Sequence, residues 1–546
     1  MHVIFRESHG LDEADTPQDL RQTPADLVVL SLSDSDLGAF ASGWRRAKAT
    51  AGADMPSLRL ANLVALKHPL SVDTYIDNTL HAARGILIRL IGGVPYWPYG
   101  LQSVAALARE KGIALAILPA DGRQDTQLDE LSTLPISTLR RLGDLCATGG
   151  PVAAHAALAQ LALAAGLYAT PVLGDKALPI YGFWSPKQGL TSPLTTETTE
   201  TTETTETTET TETTEHAAPR LAITFYRSFL SAGDTSPIQA LFDAFEQRGF
   251  DVYGLFIPSL KAPEAAKWLV QQLHALAPDA IVNATSFSGK GKDGTSPLDV
   301  AGVPVFQVAL ATSTRSAWAE ADRGLSPSDL AMHVVLPEVD GRLFSGVVSF
   351  KEPDARDPDL QYARYAHNAH PTRLAAAVDK VAAWVTLAKK PPADKRIAMI
   401  LSTYPGKSWQ MAHAVGLDAL GSAEALLQDL DGAGYHVTAG VPLEQALSRE
   451  TVTWPLDQYL EELQNLPANL QADLAAVWGA PQDDPSMKDG LFQFKATSRG
   501  NILIALQPER GTPKVREAEY HDLSRVPRHG YVAFYLWLRN ARNSDA

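Results

Sequence analysis

GILIRLIGGVPYWPYGLQSVAALAREKGIALAILP, residues 85–119, carries the pattern on which the fold turns. Its two ends, GILIRLI (85–91) and IALAILP (113–119), are short apolar runs with the length and composition of strands buried on both faces. A Gly92-Gly93 turn follows the first run, and a helix near 101–111 leads into the second. Strand, helix, strand is a βαβ unit, and parallel strands need such a crossover. Toward the N-terminus, DLVVLSLS (26–33) reads as a further buried strand. Ser71 can cap a helix running to about Arg84, with Val72, Tyr75, Ile76 and Leu80 near helical spacing. Toward the C-terminus, AAHAALAQLALAAGLY (153–168) is interrupted by His155 and Gln160 and is too short to cross a bilayer, so it reads as an amphipathic or buried helix.

The βα rhythm stops at 191–218, where seven TTE triplets (195–215) offer β-branched threonines, charge and no apolar face. This composition predicts a disordered linker. Beyond it the rhythm restarts. LAITFY (221–226), a helix over 237–248, DVYGLFI (251–257), a helix over 263–276, AIVNAT (280–285) and PVFQVAL (304–310) follow in order. An Ala-rich helix near 373–389 ends at Pro391-Pro392. RIAMILS (396–402), a helix near 423–430 and YHVTAGV (435–441) open a third unit, and YVAFYLWLR (531–539) predicts a late helix. The expected class is α/β: consecutive Rossmann- or flavodoxin-like parallel-sheet units, the third incomplete. The expected boundaries are a first domain at 1–190, a linker at 191–218, a second domain at 219–392 and a truncated third at 393–546.

Composition narrows the function classes. A length of 546 residues suits three or four domains, and 45% hydrophobic with 20% charged residues is globular. The net charge is −15, but the TTE tract holds seven of the 62 carboxylates. Without it, 55 acidic residues face 47 basic ones, which gives −8 and no basic footprint for nucleic acid. One cysteine, Cys146, excludes an internal disulfide framework or a Cys-rich zinc site and fits a reducing compartment. The first twenty residues lack the apolar core of a signal peptide, so a soluble, cytoplasmic protein without membrane insertion is expected.

Two motifs fail on context. Gly289, Gly291 and Gly294 spell GxGxxG, but Ser296-Pro297 follows and the next strand begins near Pro304, which leaves no room for the helix that would face a pyrophosphate. Thr295 stands where a P-loop has lysine, so no ATP site is recognisable. His367 and His370 form an HxxH pair, but Pro371 breaks their helix, and solvated histidines are expected. His521 and His529 are placed in a late loop region, where ligand groups gather. The informative stretches are loops at predicted strand ends: 62–75, 91–99, 226–237 and 283–299. They mix glycine with Tyr, Trp, Arg, Asn and Asp, which suits a large, partly apolar ligand with polar edges.

These stretches also carry a resemblance. LANLVALKHPLSVDTYIDNT, IGGVPYWPYGLQ, FYRSFLSAGDTSPIQALFDAF, VNATSFS, RGLSPSDLAMHVVLPEVDGR and PRHGYVAFYLWLR occur in order across nearly the whole chain. They resemble the large subunit of aerobic, ATP-dependent cobaltochelatase, the CobN type, related to magnesium chelatase H. The resemblance implies a ligase forming nitrogen–metal bonds, which inserts cobalt into hydrogenobyrinic acid a,c-diamide during cobalamin biosynthesis. It implies that cobalt is a substrate and that ATP is used by partners, an AAA+ ATPase subunit and its CobS/CobT-like companion. It points to Tyr226, Arg227, Ser228, Asn283 and Ser286 as corrinoid-binding residues and to His521 and His529 as metal or edge contacts.

Two departures qualify what carries over. Residues 403–422 read TYPGKSWQMAHAVGLDALGS, where the family pattern resembles NYPNRDGRIGNGVGLDTPAS. The family's HGNLEW-type motif, where catalytic groups are expected, is absent. The implied reading is therefore a truncated chelatase subunit that is inactive alone. The alternatives are a magnesium chelatase H-like subunit or a non-catalytic corrinoid-binding or vestigial paralogue.

Overall fold

The computed structural model describes residues 16–51, 55–120, 124–167, 178–191, 218–291, 293–402, 413–414, 417–511 and 524–545. They form two compact units that divide between Ala382 and Ala383.

The first unit contains two sheets. In the first, β1 (Leu27–Ser31), β2 (Leu58–Asn62), β3 (Gly85–Leu90) and β4 (Ala114–Pro119) are all parallel and lie in the order β2-β1-β3-β4. Alternation of side chains along each strand separates two cores. Leu27, Val29, Leu87 and Ala116 pack with the helices Asp34–Ala51 and Gly150–Ala164, whereas Val28, Leu30, Ile86 and Leu115 pack with Pro69–Asn78 and Pro98–Lys111. The 153–168 stretch thus belongs to a buried helix over its described part. The helix expected from Ser71 begins at Pro69, because His68 supplies the N-cap through Nδ1 to Leu70 N.

In the second sheet, β7 (Arg220–Tyr226), β8 (Asp251–Ile257), β9 (Ala280–Asn283), β10 (Val305–Leu310) and β11 (Leu343–Pro353) form a parallel core in the order β11-β10-β9-β7-β8. Counted from β7, this is the 2-1-3-4-5 arrangement of flavodoxin-like sheets. The antiparallel strand β12 (Tyr365–Ala369) closes one edge. The other edge carries the hairpin of β5 (Gly182–Ser185) and β6 (Gly189–Thr191), which pairs with β8. That hairpin precedes the expected linker but joins the sheet that follows it. Its aromatic residues decide this: Trp184 packs edge-on to Phe225 and Phe242 at 5.8 and 5.9 Å, and Phe183 to Trp268 at 5.5 Å.

The second unit departs from the expected parallel pattern. Among the described residues, only β13 (Ile397–Leu401) and the strand Ile502–Leu506 are parallel; Leu491–Arg499 and Thr451–Pro455 add antiparallel. YHVTAGV (435–441) is not a strand. It is mostly exposed and held by single bonds, such as Asn501 N to His436 O and Arg499 Nη2 to Val441 O. No helix among the described residues is long and apolar enough to cross a membrane.

Candidate functional site

Open parallel sheets bind ligands beyond the carboxyl ends of their strands. In the first unit, residues just past the ends of β1, β4, β7 and β8, with Arg89 at the end of β3, line a single cleft of about 600 Å³. Ser33, Asp36, Arg89, Cys146, Arg227 and Ser228 are among its walls. Each is placed by local structure. Ser31 Oγ, the last residue of β1, donates to Asp36 Oδ2 at 2.9 Å and tethers the start of the following helix. Arg89 Nη1 meets Asp36 Oδ1 at 2.5 Å, with the arginine side chain 5% exposed.

Arg227 follows β7 directly. Its guanidinium donates to Pro179 O at 2.8 Å, Leu178 O at 2.8 Å and Thr148 O at 2.6 Å. Burial pulls its pKa down. Ser228 Oγ and Arg89 Nε are buried without a hydrogen-bond partner among the described residues. Burial raises the Cys146 thiol to about 11, with Arg89 opposing the rise, so the cleft presents a neutral sulfhydryl near pH 7.

The five residues expected to meet a ligand separate into two groups. Arg227 and Ser228 line the cleft. The other three tie strand ends together. Asn283 Oδ1 accepts from Thr224 Oγ1 and Thr285 Oγ1 at 2.8 Å each, and its Nδ2 donates to Gln307 Oε1 at 2.7 Å. Tyr226 Oη donates to Ser286 O at 2.6 Å and accepts from Ser286 N at 3.2 Å. These bonds fix the loop after β9 against β7. In the second unit, His529 is buried; its Nδ1 lies 2.7 Å from Tyr459 Oη and its Nε2 3.2 Å from Gly479 O, so both ring nitrogens are engaged within the fold. His521 and the variant stretch 403–412 lie outside the described residues.

His367 is not solvated. It sits on β12, 1% exposed, with Nδ1 2.8 Å from Asp234 Oδ2. The glycine-rich loop is closed on itself: Gly289 N donates to Asp340 Oδ2 at 2.6 Å and Gly291 N to Thr295 O at 2.8 Å, and only the five-residue 3-10 turn Pro297–Ala301 follows. Among the described residues, no three His, Cys, Asp or Glu side chains converge to hold a metal ion.

Asp36, Arg89 and Cys146 were missed from sequence. The helix Asp34–Ala51 was not read, although SLSDSD after a strand is a cap-forming run of Ser and Asp.

Comparison with known proteins decides the family. The family model described as CobN/Magnesium Chelatase matches residues 161–546. This chain belongs to the CobN/magnesium chelatase family. Aerobic cobaltochelatase subunits CobN of a Sinorhizobium species and of Pseudomonas aeruginosa are 31% and 32% identical across the whole chain, which covers 43% and 44% of their length. The chloroplastic magnesium-chelatase subunit ChlH of Oryza sativa is 23% identical over 60% of the chain and 25% of its own. The solved catalytic subunit of cobaltochelatase from Mycobacterium tuberculosis superposes with a TM-score of 0.70 at 27% identity, over 95% of this chain and 42% of that one. The chain therefore spans under half the length of the CobN relatives it matches.

Proposed function

We propose that this chain is the tetrapyrrole-holding portion of a metal-chelatase large subunit, and that the macrocycle enters the cleft between the two parallel sheets. One observation carries this reading: strand ends of both sheets meet at one cleft, with a half-buried arginine and a neutral thiol in its walls. The macrocycle in this reading is a corrinoid of the hydrogenobyrinic acid a,c-diamide type, as the sequence resemblance implies, and divalent cobalt is the second substrate, in keeping with the cobaltochelatase relatives. Insertion exchanges the ring N–H for the metal, so the single N–H proton of a corrin (two for a porphyrin) leaves as the ion binds. The family's ATP requirement would be met by separate ATPase subunits, because the Gly289–Gly294 loop spends its amides internally. Arg227 and Ser228 would touch the ligand, while Tyr226, Asn283 and Ser286 hold the strand ends that present them.

Cys146 is the chain's single thiol and lines the cleft, so it reports occupancy. Alkylation at mildly alkaline pH should slow in the presence of the corrinoid, with Cys146→Ser as the blank. An unchanged rate at saturating corrinoid sinks the cleft assignment. Cobalt insertion by the isolated chain, even with ATPase partners, is expected to stay at the level of a no-protein control. The substituted 403–422 motif supports that expectation. Insertion above the control refutes it.

The magnesium chelatase H reading is favoured by similarities of lower identity, 23–24% over 60% of the chain. Preferential binding of a porphyrin over the corrinoid would select it.

A further inference from the structure

The cleft has donors that the fold leaves unanswered. Arg227 gives its hydrogen bonds to three main-chain carbonyls and forms no ion pair among the described residues. Beside it, Ser228 Oγ is buried without a partner among the described residues. On the facing sheet, Arg89 Nε is also buried and has no partner among the described residues, although Nη1 of the same residue is held by Asp36. Asp36 is already engaged by Arg89 and Ser31.

A buried donor without an acceptor costs about 1–3 kcal/mol, and an uncompensated guanidinium more. Such groups persist where a ligand supplies what the fold does not. A neutral amide offers one acceptor oxygen without charge and turns its own N–H groups toward these donors. An ionised carboxylate offers only acceptors and brings the missing charge.

We propose that Arg227 and Ser228, with Arg89 on the opposite wall, form a carboxylate subsite that reads an ionised acid on the ligand's periphery and rejects the corresponding amide. The subsite rests on the proposed cleft only for the identity of the macrocycle. The carboxylate preference follows from the side chains themselves.

Calorimetry on the full chain separates the two ideas. The probes are hydrogenobyrinic acid a,c-diamide, its fully amidated form, and the small acid trimesate with its triamide. Wild-type protein should bind each acid at least about tenfold more tightly than its amide, as expected for one charge-assisted pair. Arg227→Gln should erase that preference and Ser228→Ala should reduce it, with melting temperature confirming that both variants fold. If the macrocycle binds but acid and amide are equal, the subsite is overturned and the cleft assignment stands. If only trimesate binds, and Arg227→Gln abolishes it, the subsite stands and the macrocycle reading falls. Binding of neither acid overturns both.

Discussion

Lys351 Nζ lies 2.7 Å from Asp34 Oδ2, and both side chains are about 5% exposed. Lysine 351 belongs to β11 of the second sheet, and aspartate 34 begins the helix after β1 of the first. This buried pair joins the two sheets whose strand ends border the cleft, from positions 317 residues apart. Asn62 Nδ2 also donates to Asp34, at 2.8 Å from Oδ1.

Removing one member of a buried pair strands the other's charge, at about 3–5 kcal/mol. Lys351→Met should therefore lower the stability of the first unit by about that amount. Asp34→Asn with Lys351→Met should restore most of the loss, because no net charge remains buried. Chemical denaturation of the single and double variants measures both. Equal stability of Lys351→Met and wild type would show that the pair contributes nothing.

His333 gives a pH dependence. It is buried, and burial first, with the nearby His367 second, pushes its pKa down from 6.5 to about 4. The unfolded chain then binds a proton that the folded chain refuses. The stability tied to neutral His333 is fully present above about pH 6.5 and is lost as pH falls toward 4. The loss is on the order of 3 kcal/mol. His333→Gln should flatten that part of the stability curve, and urea titrations between these limits compare the slopes.

The TTE tract supports a deletion test. Removing 195–215 leaves seven residues between Thr191 and Arg220. The strand order puts these ends three strand spacings apart, a separation of roughly 20 Å, and the shortened connection reaches roughly 25 Å. The melting temperature should stay within a few degrees of wild type. A larger fall would mean that the tract contributes to the fold.

Nucleotide binding is tested at Gly289–Gly294. Because Asp340 and Thr295 accept the amides of Gly289 and Gly291, a phosphate would find these donors taken. Calorimetry with magnesium–ATP or NAD should give no binding isotherm. Micromolar affinity that vanishes in Gly291→Val would overturn this account.

Much of the architecture was legible because buried parallel strands need continuous apolar runs. GILIRLI, IALAILP, LAITFY and DVYGLFI each became a strand within one or two residues of the expected ends. Errors arose where pairing partners decide. YHVTAGV has strand-like composition but pairs with no strand among the described residues; single bonds from Asn501 N to His436 O and from Arg499 Nη2 to Val441 O hold it instead. The β5–β6 hairpin precedes the linker, yet its Phe183 and Trp184 find their aromatic partners after it.

The sequence by itself determined the βα rhythm, the break at the TTE tract and the family, since these depend on local composition and on ordered motifs. Only the tertiary structure decided which polar residues face a ligand. Arg227 was visible as a charged residue at a strand end, but so were Tyr226 and Asn283, whose polar atoms are consumed in holding β7, β9 and β10 together. Asp36, Arg89, Cys146 and Arg227 are distant in the chain and meet only because two separately wound sheets bring their strand ends to one cleft. Hydrogen-bond satisfaction is a property of that three-dimensional packing, and no local pattern encodes it.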